Sequence, residues 1–353
     1  MEKLTIERLI NSNYVRYNRL IQIVTEAFVG STANEINIYI DLYSILKGLY
    51  SDRSNYVIED YSSVTSSIIN MCAHYREFFR SRYRVESKFF IVYSKNCPYI
   101  NKQFYPDYNK NNEYKMNSNK IVDDMIKNNL ELLSTLCPYL PDIHFIEGTF
   151  ETGVIIYDLI CREEVNNRNP HLIITKDVYN YQLVSMRDNI VILRPKKSEG
   201  NDVSYYINKH NLYVEYLKSR KADYTNIPAI LSPQLISLVM TLSSIKERNI
   251  KSLINIKTVL KLLYEKVINY NILNGYNSDM NHIYNTLNIE KYGLGATTFE
   301  HRFKCIDIAF QHSVFINTPE CTSISINNLY DPDNVRAINN KYFRNNPLDL
   351  NRL

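Results

Sequence analysis

The sequence predicts an α/β fold in which a parallel β-sheet is flanked by helices. Short apolar runs rich in β-branched residues recur along the first two thirds of the chain, and amphipathic helical stretches separate them. Strands that alternate with helices at this spacing form βαβ units, whose strands pair in parallel. With 353 residues, 45% of them hydrophobic, the chain is long enough to bury one or two substantial cores.

Four regions are expected along the chain. They are an N-terminal helical segment (1–30), an α/β domain (31–228), a two-helix region (229–270) and a C-terminal helical extension (271–353).

The first predicted βαβ unit follows the N-terminal segment. Residues 36–40 read Ile-Asn-Ile-Tyr-Ile, an alternating strand pattern that brings Asp41 to the carboxyl end of a strand. A helical stretch over 62–82 leads to a second strand over 89–93. Residues 95–120 are polar and are expected to form an exposed excursion.

The later elements continue the same alternation. The pattern predicts helices over 121–136 and 151–163, and strands over 142–146, 172–174 and 190–193. Two helices are expected within 232–270, where Ser232 is a candidate N-cap followed by Pro233 at the first helical position.

The composition indicates which partners, which cellular location and which kind of genome to expect. The net charge of +4 gives no bulk electrostatic argument for nucleic acid, so any basic surface must be local. No apolar run reaches the length of a membrane span and the first residues carry no signal-peptide pattern, so we expect a cytoplasmic protein without membrane contact. Thirty tyrosines, no tryptophan and many Asn, Ile and Lys residues are typical of an AT-rich genome, such as that of some phages, large viruses or low-GC bacteria.

The cysteines predict reduced, mostly buried thiols. None forms a Cys-x-x-Cys pair or has a histidine at ligand spacing, which argues against zinc and against a disulfide scaffold. They are Cys72, Cys97, Cys137, Cys161, Cys305 and Cys321.

Three carboxylates fall at strand ends or helix starts, where functional side chains of parallel sheets collect. They are Asp41, Glu151 and Asp177. Together they could hold Mg²⁺ or Mn²⁺ for phosphodiester cleavage. Alternatively, the two aspartates are helix N-caps and Glu151 is a favourable first-turn acid.

The order of five segments resembles the 5′ nuclease family, which includes flap endonucleases, phage 5′-to-3′ exonucleases and the small domain of bacterial DNA polymerase I. The resemblance implies a PIN-like fold and a helix-three-turn-helix element within 229–270. The first two segments that carry the resemblance are Ile40-Asp41 and Tyr105-Pro106-Asp107-Tyr108, which the family has in or before a helical arch. The third, Gly148 to Ile156, corresponds to the family motif Gly-x-Glu-Ala-Asp-Asp-Ile-Ile, and the fourth, Thr175 to Val184, corresponds to Thr-x-Asp-x-Asp-x-x-Gln-Leu-Val. The fifth is Ser232 to Leu263.

Most of the family's other carboxylates are replaced. The substitutes are Ser94 in the second strand, Gly153 and Val154 at the paired aspartates, Tyr179 at the second aspartate of the fourth segment, and Leu242 and Ile245 in the helix-three-turn-helix region. Only Asp41, Glu151 and Asp177 remain, and the turn between the two helices has no glycine. We therefore expect impaired or absent hydrolysis, because Mg²⁺ prefers near-octahedral oxygen ligation. Asp158, one turn after Val154, is a possible substitute ligand.

Two local clusters are candidates for nucleic-acid contact. The first lies in the polar segment 95–120, called the arch-like segment below, where Lys102 and Lys110 could contact phosphates and Tyr108 could stack on an unpaired base. In the two-helix region the candidates are Lys246, Arg248, Lys251, Lys257 and Lys261. A solvated helix face explains the second cluster equally well.

Three hypotheses follow for function. The first is a catalytically impaired pseudo-nuclease kept as a DNA- or RNA-binding or assembly subunit, with protein partners in a viral or replication complex and located in the host cytoplasm or virion. The second is an active, divergent 5′ nuclease that uses Mg²⁺ or Mn²⁺. The third is a structural protein that binds no nucleic acid.

Overall fold

The computed structural model describes ten ranges of the chain. They are 34–51, 61–94, 120–164, 169–194, 206–220, 235–243, 254–265, 280–318, 330–344 and 347–353. The predicted N-terminal helical segment and most of the arch-like segment lie outside these ranges.

A six-stranded sheet forms the centre of the described fold, in the order β3-β2-β1-β4-β5-β6. The first five strands pair in parallel and β6 is antiparallel to β5. Their bounds are β1 (Glu35–Asp41), β2 (Glu86–Ser94), β3 (Ile143–Gly148), β4 (His171–Ile174), β5 (Ile190–Leu193) and β6 (Tyr206–Ile207).

Helices cover both faces of this sheet. In the described ranges they are α1 (Leu42–Ser51), α2 (Tyr61–Tyr83), α3 (Lys120–Leu136), α4 (Thr152–Glu164), α5 (Leu183–Met186), α6 (Leu212–Ser219), α7 (Ile236–Ser243), α8 (Ile256–Glu265), α9 (Met280–Thr286), α10 (Ala296–Ile306), α11 (Ile308–Phe315) and α12 (Pro332–Tyr342).

Strand alternation divides the apolar side chains into two clusters, one on each face of the sheet. In β1, Ile38 and Ile40 point toward α1, α2 and α3, whereas Tyr39 points toward α4 and the later helices. Asp41, two residues after Tyr39, lies on the same face as α4. This face also receives apolar side chains from α7, α8, α10 and α11.

The predicted α/β class is confirmed, and the predicted strands and helices of the α/β region are found within a few residues of their expected bounds. The sequence patterns of the α/β region did not predict α1, α5, α6 or β6. The helix α1 begins directly after Asp41, and its apolar residues look in sequence like a continuation of strand β1. The strand β6 has only two residues, which is too short a pattern to recognise.

The two-helix prediction for 232–270 matches α7 and α8. Ser232, Pro233 and the turn residues 244–253 lie outside the described ranges. Within the described ranges, no helix is long and apolar enough to span a membrane. Among the described residues, Cys72, Cys137, Cys161 and Cys305 form no disulfide, and all but Cys161 are buried.

Candidate functional site

Asp41 lies where the strand order of the sheet reverses. Strands β2 and β3 lie on one side of β1, and β4, β5 and β6 lie on the other. The crevice outside the carboxyl ends of β1 and β4 is therefore the position at which open α/β sheets bind ligands. Asp41 ends β1, and residues 175–180 follow β4 into the same crevice.

Both carboxylate oxygens of Asp41 accept hydrogen bonds. Oδ1 accepts from the Ser44 backbone N–H at 3.2 Å, which is the geometry of an N-cap at the start of α1. Oδ2 accepts from the Thr175 hydroxyl at 2.7 Å and from the Asn180 side-chain amide at 3.0 Å. The side chain is buried, with 2% exposure.

Thr175 and Asn180 form a closed network around this carboxylate. The Asn180 Nδ2 also donates to Thr175 Oγ1 at 3.0 Å, and the backbone N–H of Asp177 donates to the same hydroxyl at 3.0 Å. Ser44 extends the network, because its hydroxyl donates to the Asp41 carbonyl and accepts from the Lys176 N–H at 3.0 Å. The loop after β4 is thereby fastened to the start of α1.

Burial dominates the electrostatics of Asp41. Burial and, to a smaller extent, the neighbouring Asp177 raise the pKa of this carboxyl from its ordinary 3.8 to about 6, against the lowering effect of hydrogen bonds from Thr175 and Ser44. Within the described ranges, no lysine or arginine forms an ion pair with Asp41.

Asp177 is an N-cap. Its Oδ1 accepts from the Tyr179 backbone N–H at 3.0 Å at the start of the short 3₁₀ turn Val178–Gln182. The alternative reading of Asp177 as a cap is thus confirmed. Because Asp177 is close enough to affect the pKa of Asp41, the structure brings two of the three predicted carboxylates together.

Glu151 is buried beside α10. Burial raises the pKa of the Cys305 thiol to about 12, and the nearby Glu151 carboxylate contributes to this rise. Glu151 is not among the groups that shift the pKa of Asp41. In the part of the chain that the structure describes, no three His, Cys, Asp or Glu side chains are grouped so as to hold a metal ion.

Gly153 occupies a tightly enclosed position in the first turn of α4. A Cβ at this position would lie 2.4 Å from Asn180 Oδ1, 3.0 Å from Ile308 Cδ1 and 3.4 Å from Tyr179 Cε1. Distances under 3.0 Å are not tolerated between such atoms. The space in which the family resemblance places a carboxylate is therefore filled by three other side chains.

The other replaced positions serve the core. Val154, Tyr179 and Leu242 are fully buried and belong to one apolar cluster. Ser94 Oγ donates to the Phe150 carbonyl at 2.5 Å, which joins the end of β2 to the segment before α4.

Asp158, the possible substitute ligand, has other partners. Its Oδ2 forms an ion pair with Arg162, whose Nε lies 2.6 Å away, and its Oδ1 lies 3.1 Å from His312 Nε2. The ion pair lies within α4, whereas the His312 contact joins α4 to α11.

These observations test whether the described residues fit the divalent metals that the resemblance implies. They do not fit: Asp41 has both oxygens engaged, Glu151 lies beside Cys305, and Gly153 has no room for a ligand. Mg²⁺ needs about six oxygen ligands in octahedral geometry.

Of the predicted nucleic-acid contacts, the structure describes Lys257 and Lys261. Both side chains are exposed and lie one helical turn apart on α8, while Val259 between them is buried. The other predicted contacts, Lys102, Tyr108, Lys110, Lys246, Arg248 and Lys251, lie outside the described ranges.

Sequence analysis gave no role to Ser44, Thr175 or Asn180, which make most of the contacts to Asp41. A partial signal was present: Ser44 stands at the N3 spacing from a capping aspartate, and Asn180 directly follows Tyr179, which replaces a family carboxylate.

Comparisons with known proteins give the fold. No known protein family and no curated protein matches the sequence. Among solved structures, the chain is similar to the bacteriophage T5 D15 flap endonuclease in a pseudo-enzyme–product complex with DNA and metal ions. The TM-score is 0.55 at 10% identity, over 86% of this chain and 97% of that chain.

A second similar structure is the T5 5′-exonuclease with bound zinc, with a TM-score of 0.54 at 11% identity, over 87% of this chain and 98% of that chain. At this level of identity the similarity shows the fold. The predicted 5′-nuclease fold is therefore confirmed.

Proposed function

We propose that this protein is a nucleic-acid-binding protein built on a 5′-nuclease fold whose catalytic crevice no longer supports metal-dependent hydrolysis. The observation that carries the proposal is the closed network at the switch point of the sheet. There Asp41 is bonded to Thr175 and Asn180 instead of facing an open crevice.

Loss of hydrolysis follows from the chemistry that a divalent metal supplies. In metal-dependent phosphodiesterases the ion generates the attacking hydroxide and neutralises charge on the phosphate. Here two carboxylates approach each other without a third ligand in the described ranges, and one of them is buried. A phosphate would meet negative charge, and in the described part of the chain no lysine or arginine forms an ion pair with Asp41 that could offset it.

Binding is supported by the fold and by α8. The T5 flap endonuclease of similar fold was solved with DNA. On α8, Lys257 and Lys261 project from one face, where ammonium groups one turn apart can contact successive phosphates.

The first experiment measures cleavage of labelled 5′-flap and single-stranded DNA and RNA with Mg²⁺ and with Mn²⁺. We expect no product. Product that disappears in an Asp177→Asn variant would contradict the proposal and establish an active, divergent nuclease.

The second experiment measures the affinity for the same substrates in EDTA over a range of salt concentrations. We expect log K to fall linearly with log[salt], and the double variant Lys257→Ala/Lys261→Ala to flatten that slope by roughly 1–2. Lys341→Ala, which changes an exposed lysine on α12, is the matched control and should leave the slope unchanged. Absence of salt-dependent binding would favour a purely structural protein.

We also propose that the protein acts together with other proteins in a viral complex. The amino-acid composition, which is typical of an AT-rich genome, supports a phage or viral origin, and for a protein of that origin we propose a role as a subunit of a viral replication or virion complex. Co-purification of the full chain with nucleic acid and proteins from infected cells tests this, and recovery of the chain alone would contradict it.

A further inference from the structure

We infer that the side-chain amide of Asn180 stands in for a cation at the carboxylate of Asp41, so that the crevice is closed by the protein itself. This inference deepens the proposed function and rests on it. It assigns to Asn180 a positioning role that neither the motif comparison nor the fold similarity provides.

The Asp41 carboxylate is buried and must have its charge offset. A buried carboxylate needs a cation or several hydrogen-bond donors to remain in a folded protein. In the described ranges Asp41 has no lysine or arginine partner. Its Oδ2 instead receives hydrogen bonds from Asn180 at 3.0 Å and Thr175 at 2.7 Å.

The orientation of the Asn180 amide is fixed. Its Nδ2 donates to both Asp41 and Thr175, whereas its Oδ1 is buried without a hydrogen-bond partner in the described part of the chain. An unpaired buried acceptor is unfavourable. Rotating the amide by half a turn would place its oxygen against the Asp41 carboxylate, which is worse, so the demand for donors at Asp41 fixes the orientation.

The room for the Asn180 side chain depends on Gly153. Asn180 Oδ1 points at Gly153, where any Cβ would lie 2.4 Å away. In this orientation the Asn180 amide fits because residue 153 has no side chain. The amide at 180 and the glycine at 153 therefore depend on each other sterically.

The Asn180→Asp substitution tests the inference, because it keeps the shape of the side chain, removes both donors and sets a second carboxylate against Asp41. We expect the wild-type Tm to be the same in EDTA, Mg²⁺ and Mn²⁺. The variant should have a lower Tm in EDTA and recover most of the loss in Mn²⁺, since a ligand that binds only the folded state raises its stability.

Asn129→Asp is the matched control. Asn129 is also fully buried and its Nδ2 donates to the Met125 carbonyl at 2.7 Å. We expect this variant to lose stability without recovery in Mn²⁺. A wild-type Tm that rises in Mn²⁺, or an Asn180→Asp variant that does not respond to Mn²⁺, would overturn the inference.

A second measurement applies if Asn180→Asp does not fold. Asn180→Ala should lower the Tm in the wild-type background and lower it much less in an Asp41→Asn background, because only a charged residue 41 needs the donors. Equal losses in the two backgrounds would overturn the inference. None of these measurements contains nucleic acid, so their outcome is independent of the binding experiment that tests the proposed function.

Discussion

At the scale of single residues, Asp41 defines the site because it is an acid in an environment that disfavours its charge. Burial and Asp177 raise its pKa to about 6, although Thr175 and Ser44 donate to it. Buried histidines show the opposite effect: burial lowers the pKa of His144 and of His171 to about 4. Each shift makes stability depend on pH.

The shift at Asp41 predicts a difference in pH dependence between the wild type and Asp41→Asn. Between about pH 4 and pH 6 the folded chain keeps a proton on Asp41 that the unfolded chain releases, so rising pH lowers the free energy of unfolding. The shift from 3.8 to about 6 corresponds to roughly 3 kcal/mol. In the Asp41→Asn variant the free energy of unfolding should not fall in this way as the pH rises.

Urea unfolding of both proteins across this pH range measures the difference. The two histidines favour the neutral form in the folded state, so their contribution is present above pH 6.5 and is lost as the pH falls toward about 4. They occur in both proteins and cancel in the difference. A difference that does not change with pH would contradict the raised pKa of Asp41.

At the scale of elements, α4 and α11 pack against each other beside the loop that carries Asn180. Ile308 of α11 packs at Gly153, and Phe315 meets Phe150 edge to face with ring centroids 5.0 Å apart. Gln182 secures the junction before α11: its Nε2 donates to the Ile306 carbonyl at 3.0 Å, and its Oε1 accepts from Ser237 Oγ at 2.7 Å. The C-terminal extension is therefore part of the core around the site.

Gly153→Ala should disturb this contact. Alanine favours a helix by up to about 1 kcal/mol over glycine. The added Cβ, however, would lie 2.4 Å from Asn180 Oδ1 and 3.0 Å from Ile308 Cδ1. Overpacking of this kind costs about 1–3 kcal/mol, so we expect a net loss of about 1–2 kcal/mol in chemical denaturation.

Gly295→Ala is the control for this substitution. Nothing lies within 4 Å of a Cβ at Gly295, and its φ of −72° suits alanine. We expect its stability to stay within about 0.5 kcal/mol of the wild type. Equal effects of the two substitutions would show that the space at Gly153 is not restricted.

At the scale of the whole molecule, the C-terminal part of the described chain covers both faces of the sheet. Helices α10 and α11 pack on the face that carries Asp41, whereas α12 and the tail 347–353 join the opposite cluster with α2 and α3. On α2, Asn70 Nδ2 donates to the Pro347 carbonyl at 3.2 Å and its Oδ1 accepts from the Asp349 N–H at 2.9 Å. Arg76 donates to the carbonyls of Leu353 and Pro141.

Leu348→Ala tests whether the tail contributes to global stability. Leu348 is buried, with 4% exposure, among residues of the opposite cluster. We expect its truncation to lower the free energy of unfolding by about 2–3 kcal/mol. Leu350→Ala, at a partly buried position two residues later, should cost less. Equal, small losses would show that the tail is only weakly attached.

The sequence by itself determined the α/β class, the alternation of five strands with helices along the chain and the position of Asp41 at a strand end. Strand and helix periodicities and strand ends are local patterns, and each is contained in a few consecutive residues. The order of the motifs likewise predicted the 5′-nuclease fold, because each motif is a short run of consecutive residues that can be recognised from the sequence alone.

Only the tertiary structure decided what surrounds Asp41. Asn180 meets Asp41 across 139 residues, and Ile308 reaches Gly153 from the C-terminal extension. No local pattern specifies such a pair, because it depends on how two elements pack and on which side chain fits the space between them. The carboxylates could be read from the sequence, whereas the amide that closes the site became visible only in three dimensions.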